Sequence, residues 1–487
     1  MSTTRISLLL VALSTMCLCQ TALTQNARSR YKLVDLGTFG GPHSAVGGQS
    51  VVVSNSGKVA GGADTATPDP YAPDCFDHNY CFVEHAFLWQ AGVLNDLGTL
   101  PGGYSSFGYA INEHGLVVGW SQNGVLDPLT GVPEYVPTAW RNGQIIEIGT
   151  LGGAFGQAAA VNDFGFVVGG AENETPDPFR LAADWFGIAG STELRAFGWS
   201  RNRGLFDLGT LGGGGAVALS VNNNGQVAGT SFTSDVPGPT GIPPLDPFLW
   251  SHGVMIDLGT LGGTFGIAAK VTNHGQVVGD SDLKGDSTFH GFSWKRGVLT
   301  DLGTLGGDFS TAKWVNEAGE VVGFARNEKG LIKAFRWKDG KMLDLGTVDT
   351  DPCSAAWSIN EAGQIVGNSA PTCNFFAEER AFLWEKGQIF DLNAFVPPAS
   401  DLYLFEADFI NDRGDITGVA VLPSGDVHQY LLLRCSPDDD SEARGGLCME
   451  AEQNSASRVA PAHARGNVNR LDRDYASRIR SGLRNQR

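Results

Sequence analysis

The chain has 487 residues, enough for a large hydrophobic core, and its 66 glycines and 18% charged residues are typical of many short strands joined by tight turns. Its 52 acidic and 34 basic residues give a formal net charge of −18. This charge disfavours nucleic acid as a partner of the main body and makes cations or basic surfaces better suited. An acidic surface with no specific electrostatic role is the simpler alternative.

Residues 1–25 have the pattern of a secretory signal peptide. A positive charge at Arg5 precedes an apolar run from Ile6 to Cys19, and small and polar residues follow. The run of roughly 14 residues is shorter than the ~20 needed to span a bilayer, and no comparable stretch occurs later. The sequence therefore predicts a secreted or extracellular protein, with the periplasm as an alternative, and no transmembrane segment.

One motif recurs about eight times between residues 31 and 435. Its marker is Asp-Leu-Gly-Thr or a close relative, which starts at Asp35, Asp96, Glu147, Asp207, Asp257, Asp301, Asp344 and Asp391. The spacing varies while the motif stays fixed, as expected of stacked units whose loops are free to grow. We interpret the repeated Asp as a cap for the glycine turn that follows it.

Each repeat divides into four strands. The first is rich in small residues and ends in an Asn-x-x-Gly turn, such as Asn360 to Gly363, which sends the second strand back antiparallel. The second strand reads Val-Val-Gly or similar. The third carries Phe and Trp at positions i and i+2, which places both rings on one face. A short turn then leads into the fourth strand.

Four strands that are apolar on both faces need neighbours on both sides, which a β-propeller or a linear solenoid provides. The ends of the repeat region favour the propeller. Residues Tyr31 to Asp35 read as a fourth strand without its first three, and Gln429 to Leu433 as a third strand without its fourth. Their pairing would complete the last blade and avoid exposed edges. We therefore predict an all-β propeller over residues 31–435 with four-stranded antiparallel blades, eight preferred to seven.

The repeat also resembles a known family. The Ala-Phe-x-Trp strand, preceded by His85 in one copy, the Asp-Leu-Gly-Thr-Leu-Gly-Gly segment and the Asn-x-x-Gly-x-Val-Val-Gly hairpin are similar to the bacterial extracellular HAF repeats, named after His-Ala-Phe. Other copies replace the histidine with Arg195, Lys333 or Arg380, and His290 precedes Gly-Phe. The resemblance implies export and a repeat fold, and it supplies no activity, substrate or catalytic residue.

Six cysteines follow the signal segment, and an oxidising compartment favours disulfides between them. Their order suggests three local pairs: Cys75 with Cys81, Cys353 with Cys373, and Cys435 with Cys448. A zinc site is the alternative, and the lack of a C-x2-4-C spacing disfavours it.

The long insertions between second and third strands are expected on the same face as the turns between fourth and first strands. They cover about residues 63–84, 122–137, 171–195 and 230–247, and loops on a rigid scaffold commonly carry function. This predicts a binding surface with exposed aromatic side chains, namely Tyr71, Phe76, Tyr80, Tyr135, Phe179, Trp185 and Phe186. The alternative is that these rings pack onto the blade tops as small satellite cores.

The sequence predicts no catalytic residue, cofactor or metal site. Asp280, Asp282 and Asp286 alternate in a short loop that could hold calcium, but they lack the EF-hand spacing, and a solvated acidic turn is favoured. We interpret the chain as a secreted, non-enzymatic propeller that binds an extracellular glycan or protein. The alternatives are a propeller enzyme acting on extracellular polysaccharide and a structural protein of the cell envelope.

Residues 436–487 form a tail of different composition. The part from 451 to 487 has eight Arg and three acidic residues. A largely disordered tail is expected. The apolar residues at helical spacing within 468–483 also allow a short basic amphipathic helix, and the tail could contact an anionic surface.

Overall fold

The computed structural model describes residues 31–47, 50–72, 81–179, 192–238, 241–373 and 379–435. Within these ranges the chain is all-β, with 32 strands and one 3-10 helix at Leu392–Phe395. The strands pair into eight antiparallel units of four, numbered 1 to 8. Units 1 to 7 take consecutive strands from β2 to β29, and unit 8 consists of β30, β31, β32 and β1. Single parallel residue pairs join unit 8 to unit 1, unit 2 to unit 3, and unit 4 to unit 5.

Strands that hold the same position in each unit form four sets. The first strands are β2 (Gly40–Ala45), β6 (Ser106–Ile111), β10 (Gly152–Val161), β14 (Ala216–Val221), β18 (Gly262–Val271), β22 (Gly306–Val315), β26 (Cys353–Ile359) and β30 (Tyr403–Ile410). The second strands are β3 (Val59–Pro68), β7 (Val117–Leu126), β11 (Val167–Pro176), β15 (Val227–Phe232), β19 (Val277–Leu283), β23 (Val321–Asn327), β27 (Ile365–Ala370) and β31 (Ile416–Val421). The third strands are β4 (Phe82–Gln90), β8 (Pro133–Arg141), β12 (Thr192–Ser200), β16 (Leu245–Ser251), β20 (Phe289–Lys295), β24 (Ile332–Lys338), β28 (Arg380–Glu385) and β32 (Val427–Arg434). The fourth strands are β5 (Val93–Asp96), β9 (Gln144–Glu147), β13 (Gly204–Asp207), β17 (Val254–Asp257), β21 (Val298–Asp301), β25 (Lys341–Asp344), β29 (Gln388–Asp391) and β1 (Tyr31–Asp35).

The repeated Phe and Gly explain how a unit packs. Phe335 of β24 lies opposite Gly323 of β23, and its side chain is fully buried. A Cβ at Gly323 would lie 1.9 Å from the carbonyl oxygen of Thr311, so only glycine lets the first strand approach at this point. Phe87 and Trp89 are both buried, as predicted for rings on one face of a third strand.

Neighbouring units contact one another through their first strands. From β6 to β30, each first strand packs on the first strand of the next unit. At the chain ends, β32 packs on β2. Strand β1 pairs antiparallel with β32, with Leu33 opposite Leu432 and Val34 opposite Leu431. This is the pairing that the two incomplete repeats predicted.

The turn face is the edge that carries the first-to-second and third-to-fourth strand turns, which share an edge because successive strands run in opposite directions. On it, one backbone N–H of each unit donates to a side-chain oxygen of the next unit at 2.8 to 3.1 Å. The members of this turn belt are Asn55, Glu113, Asp163, Asn223, Asn273, Glu317, Glu361 and Asp412, and Asp412 donates to Asn55.

Buried asparagine amides reinforce the turn belt. In six units the Asn that begins the turn donates from Nδ2 to a backbone carbonyl of the next unit at 2.7 to 3.2 Å. These residues are Asn112, Asn162, Asn222, Asn316, Asn360 and Asn411. The Asn-x-x-Gly turn thus bonds one unit to the next in addition to reversing the chain.

Candidate binding face

The loop face is the edge opposite the turn face. It carries the second-to-third strand loops and the fourth-to-first strand turns. In seven units those turns begin at the repeated Asp, and unit 2 has Glu147 there. Asp96 Oδ1 accepts the N–H of Gly98 at 2.7 Å. The same bond forms at Asp35, Asp207, Asp257, Asp301 and Asp344, and Asp391 accepts the N–H of Asn393. The interpretation of this Asp as a turn cap is confirmed.

The same Asp also pairs with the residue two positions before the Phe of the third strand. His85 Nδ1 lies 2.8 Å from Asp96 Oδ2 across strands β4 and β5. Burial alone would raise the pKa of Asp96, but the hydrogen bonds from His85 and Gly98 outweigh it and lower the pKa. Equivalent pairs are His290 with Asp301, His428 with Asp35, and Arg195 with Asp207.

Unit 4 departs from this pattern because two carboxyl groups replace the ion pair. Asp246 occupies the histidine position and lies beside Asp257; burial first, and the charge of Asp257 second, raise the pKa of Asp246 to about 7. Sequence reasoning missed the pairing. The signal that could have identified it is that a His, Arg or Lys before the Phe of the third strand recurs together with the Asp at the end of the fourth strand. Because the pair belongs to the repeat, a His beside a carboxylate is no evidence for an enzyme in this chain.

A second set of side chains fixes the start of the first strands. Gln122 Oε1 accepts the N–H groups of Tyr104 and Ser105, both at 3.0 Å. In unit 3 Glu172 Oε2 accepts those of Ala154 and Phe155 at 3.3 and 3.2 Å. Burial raises the pKa of Glu172 to about 7, against the lowering effect of these bonds and of the Thr192 hydroxyl. The loop face therefore carries a carboxyl group that titrates near neutral pH.

The insertions are partly hairpin extensions of the sheet. Strand β3 runs to Pro68 and β4 begins at Phe82, so the ends of the first insertion are paired. In unit 2 the insertion shortens to a turn between β7, which ends at Leu126, and β8, which begins at Pro133. The insertions of the loop face therefore contain more β-strand and less irregular loop than the sequence predicted.

The disulfide predicted between Cys353 and Cys373 is present, with a Cα–Cα distance of 5.3 Å. It joins the start of β26 to the segment after β27 on the loop face. Cys81 and Cys435 are also disulfide-bonded. Their predicted partners, Cys75 and Cys448, lie outside the described residues.

Two tyrosines lie edge to face at the tops of units 1 and 2. The ring centroids of Tyr71 and Tyr104 are 6.0 Å apart at an interplanar angle of 78°, and Tyr104 is 47% exposed. The turn that holds Tyr104 packs against the β7 extension, since a Cβ at Gly102 would lie 3.2 Å from the Cα of Gly124. That extension and its turn expose three large aliphatic side chains: Val125, Leu126 and Leu129. We call Tyr71, Tyr104, Val125, Leu126 and Leu129 the apolar patch.

Tyr71 is half-buried, although the sequence predicted it as exposed. Two other predicted aromatics are not exposed either. Tyr135 is 3% exposed and packs with ring centroids 5.1 Å from Trp120 and 5.2 Å from Phe155. The prediction of an exposed Tyr135 is therefore wrong, because β8 turns this ring into the core between units 2 and 3. Phe179 is half-buried and packs edge to face on Phe232 at 6.0 Å. Phe76, Tyr80, Trp185 and Phe186 lie outside the described residues.

The prediction of a solvated acidic loop in unit 5 is wrong for Asp280 and Asp282, because both lie in strand β19. Asp280 is 4% exposed and accepts the Thr311 hydroxyl at 2.6 Å and the Ala312 N–H at 2.9 Å. Asp282 is also buried, and Asp286 accepts the N–H of Thr264 at 2.7 Å. Within the described ranges, no cluster of three or more His, Cys, Asp or Glu residues could hold a metal ion. The same ranges contain no helix with the length and hydrophobicity of a membrane span.

No protein-family model and no curated protein matches this chain. Solved structures match it at low similarity. Dipeptidyl peptidase 4 of Porphyromonas gingivalis aligns with 75% of this chain at 9% identity and a TM-score of 0.40. A puromycin-hydrolyzing peptidase of Mycobacterium tuberculosis aligns with 85% of it at 12% identity and a TM-score of 0.40. The chain covers 58% of the first protein and 60% of the second. TolB from Acinetobacter baumannii aligns with 77% of this chain at 12% identity and a TM-score of 0.29, and the chain covers 79% of TolB.

Proposed function

We propose that the eight units form a closed eight-bladed β-propeller of the HAF-repeat type. Three contacts between the chain ends support this: the pairing of β1 with β32, the packing of β32 on β2, and the bond from Asp412 to Asn55 in the turn belt. In a linear stack of the same units, the hydrogen bond from Asp412 to Asn55 could not form. Closure also leaves no unit with an exposed first-strand face.

We further propose that the protein is secreted and non-enzymatic, and that its loop face binds an extracellular protein. Export is supported by the signal-peptide pattern of residues 1–25 and by the Cys353–Cys373 disulfide, which is typical of oxidising compartments. The apolar patch is the observation that carries the binding proposal. Large apolar side chains concentrated in one exposed segment, as in residues 125–129, are characteristic of interaction sites, whereas single scattered ones are ordinary.

The aliphatic part of the apolar patch favours a protein over a glycan. Leu129 is 72% exposed, and Val125 and Leu126 are each 50% exposed. Burying such a side chain against a partner stabilises a complex by about 1.5 to 3 kcal/mol when burial is complete. Sugar recognition would use the rings of Tyr71 and Tyr104 and would gain little from these three side chains.

The test is a binding screen of the mature protein against arrays of glycans and of purified extracellular proteins. We expect a protein ligand whose affinity falls about 100-fold in Leu126→Ser/Leu129→Ser, since two well-buried leucines are lost. The matched control is Phe164→Ser, which removes an 81% exposed apolar side chain from the turn face and leaves binding intact. Ligands that bind both variants equally, or glycan ligands that depend on Tyr104 alone, would contradict the proposal.

A further inference from the structure

The turns between third and fourth strands form the outer rim of the turn face. They end on the fourth strands, which are the outer edges of the units. Eight cationic residues lie in these rim turns, all exposed: Arg141, Arg201, Arg203, Lys295, Arg296, Lys338, Lys341 and Lys386. The acidic residues of the same turns are Asp339 and Glu385. The rim is therefore basic in a chain whose formal net charge is −18.

Most of these cations are not used within the protein. Lys338 pairs with Glu320 at 2.7 Å, and Arg203 stacks on the Phe206 ring at 3.3 Å. Lys386 lies 4.0 Å from Glu385 with its side chain 86% exposed. The remaining five, Arg141, Arg201, Lys295, Arg296 and Lys341, form no ion pair with any other described residue. Unpaired surface cations on one face create a field that attracts an anionic partner.

Apolar side chains lie among the rim cations. The first residue of the fourth strand is an exposed valine in three units: Val93 (56%), Val254 (61%) and Val298 (63%). Phe164 protrudes from a first-to-second strand turn on the same face. A polyanionic polymer would use the charges alone. A bilayer would use both, because its headgroups accept the cations while the adjoining apolar side chains enter the boundary with the acyl chains.

The strand that precedes the C-terminal tail ends at this face. Strand β32 runs towards the turn face and ends at Arg434. Residues 436–450 then carry five acidic residues and one Arg, and residues 451–487 carry eight Arg and three acidic residues. The carboxylates of the turn belt lie inside the rim, and each accepts a backbone N–H of its neighbour. The rim cations therefore lie on the same face as carboxylates that are already hydrogen-bonded within the protein.

We propose that the turn face docks on an anionic lipid bilayer through its basic rim, with the loop face directed away from the membrane. The rim cations lie at the headgroup level, and the exposed valines lie between them. This proposal rests on the closed propeller proposed above and is independent of the ligand proposed for the loop face.

The test is co-sedimentation of the full mature chain with vesicles. The chain is expected to bind vesicles of about 30% phosphatidylglycerol in phosphatidylcholine, to bind pure phosphatidylcholine weakly, and to be released by salt. Reversing Arg201, Lys295 and Arg296 to Glu lowers the partition coefficient by roughly 100-fold or more, since each rim cation contributes on the order of a fivefold gain. The matched control, Lys284→Glu/Lys329→Glu, makes the same type of charge change on the loop face and leaves vesicle binding largely unchanged.

Two further variants separate the rim from a general affinity for polyanions and from the tail. Val254→Ser/Val298→Ser weakens vesicle binding but not retention on heparin. If both ligands respond equally, the partner is a soluble polyanion and the proposal is wrong. If Arg478→Gln/Arg480→Gln/Arg484→Gln abolishes vesicle binding while the rim triple variant keeps it, the tail alone is the anchor and the proposal is again wrong.

Discussion

On the turn face each unit bonds to its neighbour in nearly the same way, whereas on the loop face different units use different side chains for one task. Six asparagines of the turn face donate to the next unit from equivalent positions. On the loop face, the N–H groups at the start of the first strand are accepted by Gln122 in unit 2, Glu172 in unit 3, Asp235 in unit 4 and Asp286 in unit 5.

This difference separates the part of the sequence that holds the units together from the part that is free to change. The asparagine contacts of the turn face use one residue type at one position in six of the eight units. Caps on the loop face need only an acceptor of suitable reach, and the residues around them can diverge. The apolar patch and the titrating carboxyl of Glu172 both lie where this freedom is greatest.

A core substitution should cause the largest loss of stability and gives a reference for the effects expected on the two faces. Phe335 is fully buried against Gly323, so Phe335→Ala is expected to lower the free energy of unfolding by about 3 to 5 kcal/mol. Urea denaturation measures this loss. The control is Tyr104→Ala in the apolar patch, where a 47% exposed ring should cost less than about 1 kcal/mol. Similar losses in both variants would show that the patch belongs to the core.

A contact of the turn face should give the next largest effect. Asn360 donates to Asn411 O at 3.0 Å and accepts the N–H groups of Ala362 and Gln364, and it is 2% exposed. Asn360→Ala leaves these buried groups without partners, so we expect a loss of about 2 to 4 kcal/mol in thermal or urea unfolding.

The control for this loss is an exposed amide on the same face. Asn224 donates to Asn273 O at 2.7 Å, again from one unit to the next, but its side chain faces solvent. Asn224→Ala should change stability by no more than about 0.5 kcal/mol. A large loss there, or none for Asn360→Ala, would mean that burial does not govern these contacts.

The loop face offers a reciprocal exchange between two copies of the repeat. Glu172 and Gln122 cap equivalent first strands, one with a titratable group and one without. The pKa of Glu172 is raised from its ordinary 4.5 to about 7 by burial, so folding favours its protonated form. That contribution is complete below about pH 4.5 and is lost as the pH rises through about 7.

Glu172→Gln should therefore be more stable than the parent at about pH 8 and similar to it at about pH 4, with a gain smaller than the loss from Asn360→Ala. Unfolding midpoints measured across this pH range test this directly. Gln122→Glu makes the reverse exchange, so this variant should lose stability relative to the parent as the pH rises. A parallel shift of the whole profile in either variant would indicate a packing effect without a change in proton binding.

Local chemistry explains which features the sequence predicts. An Asn-x-x-Gly turn, an Asp before Gly-Thr and a Phe two residues before a Trp each act within a few residues or one strand pair, so repetition reveals them. The turn belt escaped prediction because its bonds join residues such as Asp163 and Asn223, which lie far apart in sequence on different units. No spacing rule within one repeat describes a contact to the next.

The candidate site was harder to predict because burial depends on neighbouring units. Tyr135 looked like a loop aromatic, yet the rings of Trp120 and Phe155 enclose it. Tyr104 was overlooked although it stands directly after the Gly-Gly pair, where other copies place Pro42, Ala154 or Thr264. A large residue at a position that the repeat otherwise keeps small is the signal that could have identified it.

Units 1 and 5 of the turn face lack the donating asparagine, and a substitution can fill the gap in unit 5. Unit 5 has Thr272 where six other units have the donating asparagine; it accepts from Asn222 through its carbonyl and has no amide to donate onward. Thr272→Asn should place an Nδ2 donor against the carbonyl of Asn316, as Asn222 does against Thr272. One added buried hydrogen bond should raise the free energy of unfolding by about 0.5 to 1.5 kcal/mol, measured by thermal unfolding.

The control is Thr272→Val, which removes the hydroxyl that accepts the Gln276 N–H and adds no donor, so this variant should lose stability. If both variants are destabilised, the backbone of unit 5 does not hold an asparagine side chain in the position that it has in the other six units. The repeated contact would then not extend from unit 5 to unit 6.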